Sequence, residues 1–322
     1  MVPLTGIVIV TWNSSEVIGA CLDSCLRLGN VETVVVDNAS SDNTVLEVQR
    51  RPAIHLIANG ENRGFAAAVN QGVASLDTAE VLLLNPDAQL IAGVEELAEA
   101  VSRPGVAAAA GRLVSSDGVT QSGFNIRSFP TAMTLALEVL GLNRLLPQNR
   151  WNRLYRADVN EHDETEVDQP AGAFLMLNKM AWSAIGGFDE TFAPVWFEDV
   201  DFCRRLHNAG FKILFLPASV AVHIGGHSAD RLSWEERQLF WYSSLLRYST
   251  KHFNKRGRRI VSAALMLSCI PRAMLALAAG KGYTAVAVYS KVFLIAWRCG
   301  CLGRCGPGQL SQEEIRAKQF HS

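Results

Sequence analysis

Apolar positions in the first hundred residues follow two alternating periods. Short runs rich in β-branched residues, 5–11 (TGIVIVT), 33–36 (TVVV), 54–58, 81–84 (VLLL) and 106–111, predict strands. Between the first two, Val17, Ile18, Cys21, Leu22, Cys25 and Leu28 recur at helical spacing, with Ser14 and Ser15 placed to cap that helix. Further helices are predicted over 65–75 and 94–101. Apolar strands separated by amphipathic helices imply a parallel sheet covered on both faces. In such sheets ligands bind beyond the carboxyl ends of the strands.

From residue 115 the pattern loosens. An irregular strand pair is predicted within 117–128 and a mixed helical and polar stretch over 131–166. An apolar segment at 171–177, a Gly186-Gly187 loop and an acidic cluster follow. Two strands are expected near 212–216 and 219–223, then a helix from Ser233. In the tail, apolar runs at 260–270, 273–279 and 292–297 are broken by Pro271, Arg272 and Lys281 before any reaches the ~20 residues of a spanning helix. Helices lying in or on a membrane interface are therefore expected, with hairpin insertion second.

Charge sharpens that reading. Residues 231–322 carry 15 Lys+Arg against 4 Asp+Glu, and residues 1–230 carry 15 against 27. An acidic body with a basic, apolar tail suits an anionic surface, although a solvated helical end would show the same bias. With 49% hydrophobic and 19% charged residues the chain is globular. The first apolar run comes too early, without a basic leader, for a secretory signal. Cys21, Cys25, Cys203 and Cys269 sit in patterned stretches, which predicts reduced thiols and a cytoplasmic setting. Cys299, Cys301 and Cys305 do not have the spacing of a zinc site.

Five segments carry candidate chemistry. In 34–44 (VVVDNASSDNT), Asp37 ends a strand and can accept hydrogen bonds from a ribose or nucleobase; it and Asp42 can equally cap the next helix. In 59–72 (NGENRGFAAAVNQG), Gly64 and the alanines at a helix start allow a ligand close to the backbone, or tight packing on the sheet; Arg63 can pair with a phosphate. In 82–88 (LLLNPDA), Asp87 follows a buried strand. There it can present a hard oxygen to Mg²⁺ or Mn²⁺, which would neutralise a diphosphate leaving group, or it can cap a turn. In 192–205 (FAPVWFEDVDFCRR), Glu198, Asp199 and Asp201 lie beside Trp196 and Phe197. Mutual repulsion raises at least one carboxyl pKa toward that of a general base, while the helix dipole offers a purely structural reason for the same cluster. In 220–228 (VAVHIGGHS), His223 ends a strand and can complete a metal shell with Asp87, with His227 the weaker choice.

Taken in order, these segments, with TWN at 11–13 and GGFDETF at 186–192, resemble the inverting family-two glycosyltransferases of the GT-A fold, in particular the bacterial rhamnosyltransferase-like branch. The resemblance covers about residues 4–230. It implies an α/β, Rossmann-like, mostly parallel sheet with helices on both faces, plus a C-terminal helical tail. Residues 1–114 would form the nucleotide-sugar-binding half, 115–230 the acceptor-binding half with the acidic cluster, and 231–322 a membrane-associating tail. It further implies that Thr11, Asn13, Asp37, Asn62, Arg63 and Gly64 hold the donor nucleotide. Asp87 and His223 would bind the metal, Asp199 would be the base, and Trp196, Glu198 and Asp201 would meet the acceptor. Asn85 replaces the first acid of the family's Asp-X-Asp motif, which leaves one charged ligand fewer.

The implied reaction is a metal-assisted single displacement, with dTDP-rhamnose the favoured donor and a UDP-sugar second. The acceptor is a hydroxyl of a cell-surface glycan precursor on a lipid carrier, at the inner face of the plasma membrane; no nucleic acid is involved. Two other activities share features of this fold. A sugar nucleotidyltransferase would carry a glycine-rich loop after strand one, where this chain has Trp12-Asn13-Ser14-Ser15. A non-catalytic saccharide-binding or assembly protein predicts a ruined acidic cluster, and here the cluster is intact. A dinucleotide-dependent oxidoreductase is excluded, because no G-x-G-x-x-G follows strand one.

Overall fold

The computed structural model describes residues 5–156, 163–225 and 231–303. Four strands, β1 (Thr5–Thr11), β2 (Val31–Asp37), β3 (His55–Ala58) and β4 (Glu80–Leu84), form a parallel block ordered β3-β2-β1-β4. β5 (Ala88–Ala92), β6 (Val106–Val114), β10 (Phe174–Asn178) and β11 (Lys212–His223) extend the sheet as β4-β10-β6-β11-β5. β10 enters antiparallel between β4 and β6, and β11 runs parallel to β6 and antiparallel to β5. A short β8 (Thr165–Glu166) pairs with β11. Both halves of the chain therefore build one sheet. β7 (Ile126–Arg127) and β9 (Gln169–Pro170) make a separate two-stranded sheet.

Alternation within the strands sorts the core into two layers. Ile7 and Ile9 of β1 pack with α1 (Ile18–Leu26), α2 (Thr44–Gln49) and α4 (Val94–Val101). Val8 and Val10 face the other way, toward α3 (Phe65–Ser75), α8 (Lys179–Ala184) and α9 (Glu198–Asn208). α3 comes so close that a Cβ on Gly72 would lie 2.6 Å from Val8 Cγ1. A third core joins α5 (Ala132–Val139) to the tail helices α10 (Trp234–His252), α11 (Lys255–Ala278) and α12 (Gly282–Trp297).

Several expectations change. α1 begins at Ile18 with Val17 as its cap residue, and neither Ser14 nor Ser15 caps it by its side chain. Instead the Ser14 carbonyl accepts from the N–H groups of Val17 and Ile18. The two strands expected at 212–223 are one, β11, with a shift in pairing between Leu216 and Val220. β5, absent from the predicted elements, is an edge strand. Ser233 does cap α10, in a reciprocal box with Glu236.

The tail departs most. α11 runs unbroken through Pro271, and the segments 255–278 and 282–302 are long and apolar enough to cross a membrane by length and composition. Most of each is not buried by the rest of the protein. Cys21, Cys25, Cys203 and Cys269 are buried free thiols as expected, and Cys299 is disulfide-bonded. His227 lies outside the described residues.

Candidate active site

The carboxyl ends of β1, β2 and β4 open onto a cavity of about 550 Å³. Thr11, Asn38 and Asn62 line one side, Asn85 and Pro86 the floor, and Trp196, Glu198 and Asp199 the opposite wall. α5 contributes Leu135 and Glu138, and α10 contributes Trp241. Among the described residues, all four non-glycine residues with positive φ lie in loops around this space: Asn13, Ala39, Trp196 and Phe197. Side chains other than glycine pay to adopt that conformation, and such strain gathers at functional sites.

Asp37 anchors the first side from behind. Its Oδ1 accepts from the Thr11 hydroxyl at 2.8 Å and from the Ser40 hydroxyl at 2.5 Å, and its Oδ2 accepts from the Ser40 N–H. Asn13 ties the same two loops together: its N–H donates to Ser40 Oγ and its Oδ1 accepts from the Ser41 N–H. Asn38 Nδ2 donates to the Gly64 carbonyl, and Asn62 Oδ1 accepts from the Gly64 N–H. Gly64 has φ +84°, and a Cβ there would press on Ala193 and Pro194, so glycine is needed. Arg63 is exposed and reaches Gln71 Oε1 at 3.4 Å; neither it, Asn13, Asp37 nor Gly64 lines the cavity.

Behind the floor, Asp87 Oδ1 lies 3.4 Å from His223 Nε2 and its Oδ2 accepts from the Gly225 N–H. Burial raises the Asp87 pKa. The hydrogen bond and charge of His223, with the Gly225 N–H, outweigh burial and hold the carboxyl below its ordinary value. Asn85 Nδ2 is 3.3 Å from the same Nε2. Among the described residues no group of three or more His, Cys, Asp and Glu side chains could hold a metal. The protein thus offers one carboxylate and one imidazole, with an amide nearby. That set fits Mg²⁺ or Mn²⁺ only if a ligand's phosphates and water fill the remaining positions, which is the usual way Mg²⁺ binds.

On the opposite wall the three carboxylates have separate fates. Asp199 Oδ1 accepts from the Val200 N–H at 2.7 Å, and its Oδ2 lies 3.3 Å from the Gly172 N–H and 3.4 Å from Gln169 Nε2. Burial raises the Asp199 pKa, opposed by the Val200 N–H and by the charge of Arg127. Burial, then the charge of Asp199, push Glu198 well above the usual carboxyl range, and its Oε2 has no partner. Asp201, expected beside the acceptor, is turned away. It is fully buried, takes Arg205 Nε on Oδ2 at 2.8 Å and Lys251 Nζ and His252 Nε2 on Oδ1 at 2.7 Å, and does not line the cavity. Its pairing along α9 and with α10 is structural.

The lining residues outside the recognised motifs include a cation. Arg127 is the sole cation among the described lining residues. β7 pairs it with Gln169, the residue that reaches Asp199. Side chains directly opposite in a strand pair share a face, so the motif-poor segment before α5 delivers a cation to the acidic wall.

Residues 6–182 match the model of the glycosyl transferase family 2. The chain belongs to that family. It is a family 2 glycosyltransferase with rhamnosyltransferase relatives. It is 32% identical over 215 residues to the N-acetylglucosaminyl-diphospho-decaprenol L-rhamnosyltransferase of Mycobacterium tuberculosis, covering 62% of this chain and 69% of the relative. A rhamnosyltransferase of Escherichia coli K12 is 26% identical over 195 residues, 59% of this chain and 69% of that one. The fold of this family 2 member is that of a Pyrobaculum calidifontis mannosyltransferase solved with GDP-mannose and Mn²⁺ (TM-score 0.53, 16% identity, 94% of this chain and 88% of that one). It also matches GalNAc-T7 solved with UDP, GalNAc and Mn²⁺ (TM-score 0.56, 12% identity, 78% and 50%).

Proposed function

We propose that this glycosyltransferase moves a sugar, rhamnose from dTDP-rhamnose first and a UDP-linked sugar second, onto a hydroxyl of a lipid-linked cell-surface glycan precursor, with inversion. The supporting observation is that Asp199 faces the same cavity as Thr11, Asn62 and Asn85, which come from the end of β1 and the loops after β3 and β4. The nucleoside lies against Thr11, over the loops that Asn13 and Asp37 hold in place, with Asn62, Arg63 and Gly64 toward its phosphates. Asp87 and His223 hold Mg²⁺ or Mn²⁺, which when bound neutralises the leaving diphosphate. Trp196 and Glu198 receive the acceptor. Asp199 takes the proton from the attacking hydroxyl, whose oxygen displaces the nucleotide from the opposite face. No enzyme nucleophile is required, because one displacement inverts the anomeric centre.

Of the M. tuberculosis relative, the name says that it acts on a diphospho-decaprenol-linked sugar. That supports a lipid-linked acceptor here and a cytoplasmic enzyme held at the inner membrane face through residues 231–300. The deciding experiment offers purified protein a panel of nucleotide sugars with Mn²⁺ and a prenyl-diphosphate-linked sugar, and measures nucleotide release. Asp199→Asn should lose transfer by at least ~10²-fold, the lower end of what a positioned base contributes, while retaining donor affinity. Near-normal transfer in that variant rules out the assignment.

A further inference from the structure

The segment between β6 and β7 belongs to no recognised motif, yet it grips the histidine behind the floor of the cavity. Gln121 meets His223 twice. Its Nε2 donates to the His223 carbonyl oxygen at 2.7 Å, and its Oε1 lies 2.9 Å from Nδ1. The first bond fixes the orientation of the amide, since the reverse would set oxygen against oxygen. An amide oxygen only accepts, so Nδ1 must carry the ring proton. In the neutral ring, Nε2 then holds the lone pair. That nitrogen is the one 3.3 Å from Asn85 Nδ2 and 3.4 Å from Asp87 Oδ1. Phe124 stacks on the imidazole with centroids 5.3 Å apart and planes inclined by 12°, which opposes rotation of the ring. A lone pair and a carboxylate oxygen face each other at that separation comfortably only with a cation or a proton between them.

We propose that Gln121, backed by Phe124, is a positioning residue that selects the Nδ1–H tautomer of His223 and so presents Nε2, together with Asp87, to a divalent metal. This deepens the metal site of the proposed function and rests on it only for the metal; the tautomer stands on the geometry alone. Metal-binding histidines depend on the partner of their second nitrogen, and losing that partner typically costs about 10–100-fold in metal affinity.

The test uses the full-length protein with ¹⁵N-labelled histidine. Without metal, and at alkaline pH where the ring has lost its charge, the ring nitrogens of His223 should report a protonated Nδ1 and an unprotonated Nε2. Gln121→Leu should shift the ring toward the Nε2–H form, and Mn²⁺ affinity followed by electron paramagnetic resonance should fall about 10–100-fold. Gln121→Glu keeps an acceptor on Nδ1–H but sets an oxygen against the His223 carbonyl, so it should restore the tautomer and only part of the Mn²⁺ affinity. Phe124→Leu is the second variant should Gln121→Leu fail to fold, and should weaken Mn²⁺ binding with the tautomer unchanged. An unaltered tautomer and Mn²⁺ affinity in Gln121→Leu overturn the proposal, as does an unaltered protein that binds neither Mn²⁺ nor Mg²⁺. Absent sugar transfer with intact Mn²⁺ binding counts only against the proposed reaction.

Discussion

At the scale of single residues, burial raises both neighbouring carboxyls of the cavity wall, but to different extents. Glu198 is pushed further toward its neutral form than Asp199, because Arg127 and the N–H groups of Val200 and Gly172 favour ionised Asp199 while nothing comparable serves Glu198 Oε2. A base must be ionised to act, so transfer should decline as pH falls through the Asp199 pKa. Arg127 lowers that pKa. Arg127→Met should therefore move the acid limb of the kcat/KM profile to higher pH, with the alkaline side unmoved; a shift to lower pH would mean that Arg127 acts elsewhere. Asp201 answers to the opposite sign. Burial alone would raise its pKa, but His252, Lys251 and Arg205 hold it below the ordinary value. Its stabilising contribution is thus present above the unfolded carboxyl pKa of about 3.9 and is lost as pH falls below that toward the folded value. Asp201→Ala strips the carboxylate from Arg205 and His252 and leaves Lys251 only Asp189, and should cost about 3 kcal/mol in urea unfolding.

At the scale of elements, legibility followed how local the cause was. β1, β2 and β4 carry their own burial signal, because strands covered on both faces are apolar at every position, and their polar ends announce Thr11, Asp37 and Asn85. β10 showed only as an apolar stretch. Its antiparallel insertion between β4 and β6 depends on partners 65 to 98 residues away, which no local pattern records. Arg127 and Gln121 escaped for the same reason: the first matters through its cross-strand neighbour Gln169, the second through His223, 102 residues distant. Asp201 was misplaced because three acids in one helical turn project in different directions, and spacing alone does not say which one faces the cleft. The fit of α3 on the sheet is a packing fact with an energetic consequence. Gly72→Ala puts a methyl 2.6 Å from Val8 Cγ1 and 3.1 Å from Val36 Cγ2. Overpacking of this kind costs about 1–3 kcal/mol, so the melting temperature should drop. Unchanged stability would mean that α3 can slide outward without loss.

At the scale of the whole molecule, the two long tail helices set the remaining question. α11 and α12 turn Val261, Leu265, Val288 and Val292 inward to the third core. Outward, α11 presents Leu267 at 71% exposure, Ile270 at 70% and Met274 at 65%, spaced along one helical stripe. Tyr283, Val286, Leu294 and Trp297 do the same along α12. Exposed Lys255, Arg256 and Arg259 stand at the start of α11, and Lys291 and Arg298 along and after α12. Apolar faces with basic neighbours suit the boundary between anionic headgroups and acyl chains, where a lipid-linked acceptor presents its sugar. Lys281 in the turn between the helices opposes burying that turn at the bilayer centre, which favours helices lying along the surface. Vesicles containing phosphatidylglycerol should therefore bind the protein more strongly than pure phosphatidylcholine, and less so as salt is raised. Replacing Leu267, Ile270 and Met274 together by serine removes up to about 1.5–3 kcal/mol of burial per side chain, so partitioning should fall by about two orders of magnitude or more. Donor hydrolysis, which needs no membrane, should be retained. If the triple variant instead splits a dimer while vesicle binding is untouched, that face belongs to a second copy of the chain and the membrane contact lies elsewhere.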